Sequence, residues 1–281
     1  MNTDQLYAQI KAKGSMLCVG LDTDYSKLPE KIRLECQRGD LALQGRFYSG
    51  KARAIISFNK AIIDATAPYC VAYKPNLAFY EAFGSEGLSA LEGTVSYIRE
   101  KYPEQFIIAD AKRGDIGNTA KMYAKTFFET MDFDAVTLSP YMGLETVEPF
   151  LQYPGKFAIV VALSSNKTAA DFQYSQQDGK PLYQTVMEKC MEVSTPDNMM
   201  FVVGATKADK LREIRSFCPD NFLLVPGVGA QGGSAEEVIA NGSNSKGGLL
   251  INSSRAVLYA SDGPDYAEAA AKVAAATARL A

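Results

Sequence analysis

Phe106-Ile107-Ile108-Ala109-Asp110-Ala111-Lys112-Arg113-Gly114-Asp115-Ile116 joins a run of four apolar residues to a crowd of charge. A short run that is apolar on both faces reads as a buried strand of the parallel kind. Side chains alternate across a strand, so Asp110 and Lys112 are expected to point the same way, with Ile108 beneath them. Gly114 ends the strand, and Asp115 falls in the turn that opens the next helix. Three charges at the end of an oily strand are costly unless paired. Taken alone, the stretch is equally well a buried Asp–Lys pair with Asp115 capping a helix. What flanks it decides the architecture.

Toward the N-terminus, helical spacing covers 85–101, preceded by an apolar run from Tyr69 to Tyr73 that ends in Lys74-Pro75. A helix over 51–67 follows a polar, Gly- and Pro-punctuated connection at 23–50. Before that, Met16 to Leu21 reads as a strand ending in Asp22, after a helix over 3–13 stopped by Gly14. Toward the C-terminus the same alternation repeats. A helix over 117–131 leads to Ala135–Leu138, which ends in Ser139-Pro140, and to a helix over 143–152. Phe157–Leu163 runs into a polar loop, 164–180, and a helix over 181–194. Met200–Ala205 precedes a helix over 207–217. Phe222–Val225 runs into Pro226-Gly227-Val228-Gly229-Ala230-Gln231-Gly232-Gly233 and a helix from Ser234. Gly248–Ile251 ends in Asn252-Ser253-Ser254-Arg255, and an alanine-rich helix over 264–280 follows.

Eight strands alternating with helices imply parallel strands with helices outside. Eight such units in 281 residues, with no linker-like shift in composition, predict an α/β fold, a single (β/α)8 barrel domain over 1–281. A doubly wound sheet is the main rival. In a barrel the strand ends Asp22, Lys74, Asp110 with Lys112, Ser139, Ser164, Gln231 and Arg255 converge on one face, where active sites of this architecture lie.

Composition narrows the chemistry. With 47% apolar and 22% charged residues and a net charge of −3, the chain offers no broad basic field, so nucleic acid is not an expected partner. No apolar stretch approaches the roughly 20 residues that span a bilayer, and the first residues lack the form of a signal peptide. The five cysteines show no C-x-x-C spacing, which fits a reducing cytoplasm and argues against a zinc site. The chain has no histidine, so proton transfer falls to Lys, Asp, Glu, Tyr or Cys.

Gly227-x-Gly229-x-x-Gly232 fits a dinucleotide fingerprint, but a proline precedes it and Asn252 stands where an acid would be expected. A phosphate loop fits better. Barrels commonly bind phosphate at the loops after strands seven and eight, which here supply glycine N–H groups, Gln231, Ser254 and Arg255. Lys74 could equally be a snorkelling lysine, Ser139-Pro140 a plain turn, and 164–180 either a candidate lid or a long loop.

Together these residues resemble a known family. Asp110-Ala111-Lys112-Arg113-Gly114-Asp115-Ile116-Gly117-Asn118-Thr119 is similar to the signature of the orotidine 5′-phosphate decarboxylases, and the long segments 23–50 and 164–180 resemble the longer bacterial branch. The resemblance implies conversion of orotidine 5′-monophosphate to uridine 5′-monophosphate and carbon dioxide, without cofactor or metal. It implies that Lys112 donates the proton to C6 in a Lys74–Asp110–Lys112–Asp115 array. It further implies that Asp22 and Thr119 hold the ribose, Ser139 contacts the pyrimidine, and Pro226, Gln231 and Arg255 belong to the phosphate grip. A homodimer is implied as well, with Asp115 and Thr119 reaching the partner's site. The sister hexulose-phosphate synthases share D-x-K-x-x-D but use magnesium and carry glutamate where this chain has Lys74. A Schiff-base aldolase and a non-catalytic nucleotide-binding barrel are the other readings.

Overall fold

Eight apolar runs close on each other as a barrel. In the computed structural model, which describes residues 1–37, 41–43, 46–228 and 234–278, the staves are β1 Leu17–Gly20, β2 Ala72–Lys74, β3 Phe106–Arg113, β4 Ala135–Leu138, β5 Phe157–Leu163, β6 Met199–Val203, β7 Leu223–Pro226 and β8 Leu249–Ser253. Each pairs in parallel with its sequence neighbours, and β1 pairs with both β2 and β8, so the sheet has no edge. The doubly wound alternative is thereby excluded. Both faces of the staves are buried, which is why they read as continuous apolar runs: Ile107, Val136, Ile159, Phe201, Leu223 and Leu249 are all fully enclosed.

Helices lie between the staves much as their spacing predicts. Thr3–Lys13 is closed at its N-terminus by a capping box from Asn2 and at its C-terminus by Gly14 in the left-handed region. Ser49 caps Gly50–Thr66, and Ser234 caps Ala235–Gly242. The helix expected over 117–131 is α-helical over Gly117–Lys125 and continues as a π turn over Thr126–Thr130.

Two segments carry more order than their sequence suggests. The connection 23–50 holds a helix, Glu30–Gln37, and a hairpin of Leu41–Leu43 with Arg46–Tyr48. The helix packs on Gly50–Thr66, and Ile32 is its one buried apolar residue among those described, too little to show as a helical stripe. A five-residue helix, Leu77–Glu81, also follows β2, where the sequence offers only a loop.

At the N-terminal end of the barrel, charge serves as structure. The Asp134 carboxylate accepts the Ile107 N–H at 2.8 Å and an Arg99 Nη2 proton at 2.7 Å. Arg99 also donates to the carbonyls of Asp132 and Gln105. No described helix is long and apolar enough to cross a membrane.

Candidate active site

The site is built on the C-terminal ends of the staves. Lys74 closes β2 with its side chain only 4% exposed, and its Nζ donates to Asp110 Oδ2 at 2.8 Å. Lys112 Nζ approaches the other oxygen, Oδ1, at 2.5 Å from a side chain that is 53% exposed. One carboxylate thus lies between two ammonium groups, the first enclosed and the second at the barrel mouth. Burial lowers the pKa of Lys74, but the Asp110 and Asp22 carboxylates outweigh it and hold that pKa well above the lysine range. Burial likewise opposes the Asp110 charge, yet Lys74 and then Lys112 hold that carboxyl well below its usual range. Both partners are therefore charged.

Asp110 and Lys112 meet, but not by regular alternation. Between Ala109 and Arg113 the register of β3 against β4 slips, because Ala109 pairs with Val136 and Arg113 with Leu138. Lys112 takes a φ of 46°, a left-handed conformation that costs a side-chain-bearing residue about 1–2 kcal/mol. The bulge is tied down on β4 and by its own neighbours. Thr137 Oγ1 accepts the N–H groups of Ala111 (3.0 Å) and Lys112 (2.9 Å), and bonds Asp110 Oδ1 at 3.1 Å. The Ser139 N–H donates to the Arg113 carbonyl at 2.7 Å. Arg113 donates to the Ala111 carbonyl at 3.1 Å and pairs with Glu81, on the helix the sequence did not reveal. Gly114 passes so close to the Ser139 carbonyl that a Cβ would lie 2.6 Å from it.

A cavity of about 310 Å³ opens above the array, lined by Asp22, Lys74, Asp110, Lys112, Pro226 and Arg255 among others. Six of the ten residues singled out in the sequence thus converge. Asp22 is set by its backbone: Tyr259 donates to its carbonyl at 3.1 Å, and Tyr80 donates to the Leu21 carbonyl at 3.0 Å. Its Oδ1 is buried without a hydrogen bond. Arg255 begins a four-residue helix and is exposed, and its side chain forms no hydrogen bond or ion pair with any described residue. Gln231 lies outside the described residues.

Three expected residues are elsewhere. Asp115 turns back to accept its neighbour Ile116's N–H at 2.8 Å, and it does not cap the helix that follows. Thr119 is exposed on Gly117–Lys125. Neither lines the cavity of its own chain. Ser139 borders a separate, apolar cavity of about 470 Å³ with Tyr141, Phe172 and Tyr183. The serines that line the central cavity are Ser164 and Ser165, at the end of β5, and Ser254, just before Arg255. Ser164 is held by Gln173, which accepts its N–H and donates to its Oγ, both at 2.8 Å, so the segment 164–180 is folded back onto its own start.

Asn76 and Asn252 also line the cavity, and the sequence reading gave neither a role there. Asn76 follows Lys74 by two positions, just past a strand end, which is the signal that could have revealed it. Asn252 is 7% exposed and leaves its Oδ1 without a hydrogen bond. Among the described residues no group of three Cys, Asp or Glu side chains comes together as a metal site.

The family model described as "Orotidine 5′-phosphate decarboxylase / HUMPS family" matches residues 15–272. The chain belongs to this family. Among its relatives are the orotidine 5′-phosphate decarboxylase of Phocaeicola vulgatus, 54% identical over 271 residues and covering 96% of this chain and 94% of that protein. The namesake from Parabacteroides distasonis is 53% identical over 275 residues, covering 98% and 91%. Among solved structures, the OMP decarboxylase of Leishmania donovani is 33% identical, covers all of both chains and superposes with a TM-score of 0.78. For a member of this family, the matched span takes in every stave and every cavity-lining residue named above.

Proposed function

We propose that this chain decarboxylates orotidine 5′-monophosphate, giving uridine 5′-monophosphate and carbon dioxide, and that Lys112 is the proton donor. The observation that carries the reading is the Lys74–Asp110–Lys112 array at the floor of the cavity, in a chain whose relatives at 51–54% identity bear that activity in their names. Cleavage of the bond from C6 to the carboxylate leaves an electron pair on C6 in the plane of the ring, where the π system cannot spread it. The site must therefore hold positive charge beside C6 and then supply a proton. The Lys112 ammonium does both: it opposes the developing negative charge, then gives a proton to C6 and regains one from solvent. Asp110 fixes Lys112 in place, and Lys74 keeps Asp110 ionised.

The rest of the cavity suits the rest of the nucleotide. Asp22, with a buried carboxylate oxygen unpaired, suits a ribose hydroxyl donor. Arg255 suits the phosphate, beside the loop after β7. A magnesium ion between Asp22 and Asp110 would meet the Lys74 ammonium, which favours chemistry without a metal. Five unpaired cysteines suit a reducing cytoplasm.

The active unit in this reading is a homodimer. Asp115 and Thr119 stand outside their own cavity, and exposed apolar side chains lie next to them in the chain, Ile116 and Met122, and on the loop after β4, Met142 and Tyr141, the last 85% exposed. Such a surface suits a second copy that receives Asp115 into its site.

The direct test is the fall in pyrimidine absorbance after addition of orotidine 5′-monophosphate, run with and without exhaustive chelation. Turnover that chelator leaves unchanged is expected. A rate lost to chelator and restored by magnesium would move the chain to the synthase side of the family, and no turnover at all would overturn the reading.

A further inference from the structure

We propose that Thr137 is a positioning residue for the reaction, its single hydroxyl fixing both the Asp110 carboxylate and the left-handed turn at Lys112. The inference rests on the decarboxylase reading for its kinetic consequence, though not for its geometry. A hydroxyl has one proton and two lone pairs. Here the Ala111 and Lys112 N–H groups, at 3.0 and 2.9 Å, can only donate, so they occupy the lone pairs. The one remaining contact, Asp110 Oδ1 at 3.1 Å, must receive the proton. Thr137 is 1% exposed, so water does not compete for any of the three.

This wiring joins two things that catalysis needs in fixed relation. The same oxygen of Asp110 accepts from Thr137 and from Lys112 Nζ, while the backbone of Lys112 hangs from Thr137. Lys112 is thus held at both ends, its N–H directly and its ammonium through Asp110. Without the hydroxyl, the Ala111 and Lys112 N–H groups lose their acceptor and the left-handed turn at Lys112 loses its side-chain anchor on β4. Lys112 is otherwise a half-exposed lysine with a long, mobile stem. Displacing a reacting group by about 1 Å can cost on the order of 100-fold in rate.

Three variants separate this role from packing. Thr137→Val keeps the shape and removes the hydroxyl, Thr137→Ser keeps the hydroxyl and removes the methyl, and Thr137→Ala is the smaller fallback should valine prevent folding. The expected kcat falls about 10- to 100-fold in Thr137→Val or Thr137→Ala and stays within about fivefold of the parent in Thr137→Ser. Uridine 5′-monophosphate affinity should change less than twofold in all three, because Thr137 does not line the cavity. Amide exchange at Ala111 and Lys112 should accelerate at least tenfold in the valine or alanine variant alone. A serine variant as slow as valine, or a valine variant with parental kcat and exchange, would overturn the proposal. If the parent itself fails to decarboxylate, the functional reading falls, while the exchange rates still decide whether Thr137 holds the turn.

Discussion

The two ends of β3 carry similar chemistry put to different uses. At the N-terminal end a buried aspartate, Asp134, meets Arg99; at the C-terminal end a buried aspartate, Asp110, meets Lys74 and Lys112. Arg99 gives protons to Asp134 and to the carbonyls of Asp132 and Gln105, so its planar fork is nearly saturated. Lys74 and Lys112 each make one side-chain hydrogen bond among the described residues, out of three N–H apiece. The lower pair is closed upon itself, and the upper one opens on a cavity. What marks a site is not buried charge but buried charge with donor capacity left over, facing space that a substrate can fill.

If that distinction is right, removing charge at the two ends should damage different properties. The largest expected effect is Lys112→Ala, which should lower kcat by about 10⁴-fold or more while leaving the melting temperature and product binding nearly unchanged. The side chain is half exposed, so the fold depends little on it. Mixing this variant with inactive Asp115→Ala protein should restore part of the activity, since some mixed dimers would hold one intact site. Steady-state rates before and after verified subunit exchange decide both points. Turnover of Lys112→Ala within tenfold of the parent would remove Lys112 from the chemistry.

Next in size is Arg255→Ala. A charge-assisted contact with a phosphate is worth about 2–4 kcal/mol, or roughly 30- to 1,000-fold in kcat/KM. The loss should be large with orotidine 5′-monophosphate and small with orotidine, which lacks the phosphate. Equal losses with both substrates would place Arg255 in the fold or at the base instead.

The smallest kinetic effect belongs at the other end of the strand. Asp134→Asn should cost about 2 kcal/mol of stability by weakening a charged hydrogen-bond network, measured as a lower midpoint in urea, with kcat within twofold of the parent. A strong loss of kcat without loss of stability would erase the contrast between the two ends.

Much of the site could be read before the fold was seen, for a simple reason. Strands buried on both faces are continuous apolar runs, so a charge at the end of one stands out; Asp22, Lys74 and Asp110 were visible in that way. Ser139 stood at a strand end too, yet it borders the neighbouring cavity, while Ser164 and Ser165 face the central one. The rule names the ring of strand ends, but the pitch and stagger of the staves choose which side of each end faces inward.

By itself, then, the amino-acid order determined the eight staves, the barrel class, the absence of histidine chemistry and the Asp–x–Lys pair, because those follow from local apolar runs and residue identity. Tertiary structure decided what local pattern could not: the bulge that gives Lys112 its left-handed backbone, the Thr137 hydroxyl that receives it from the next strand, and the helix Leu77–Glu81 whose Glu81 holds Arg113. Each depends on groups 25 or more residues apart in the chain, brought together only when the sheet closes.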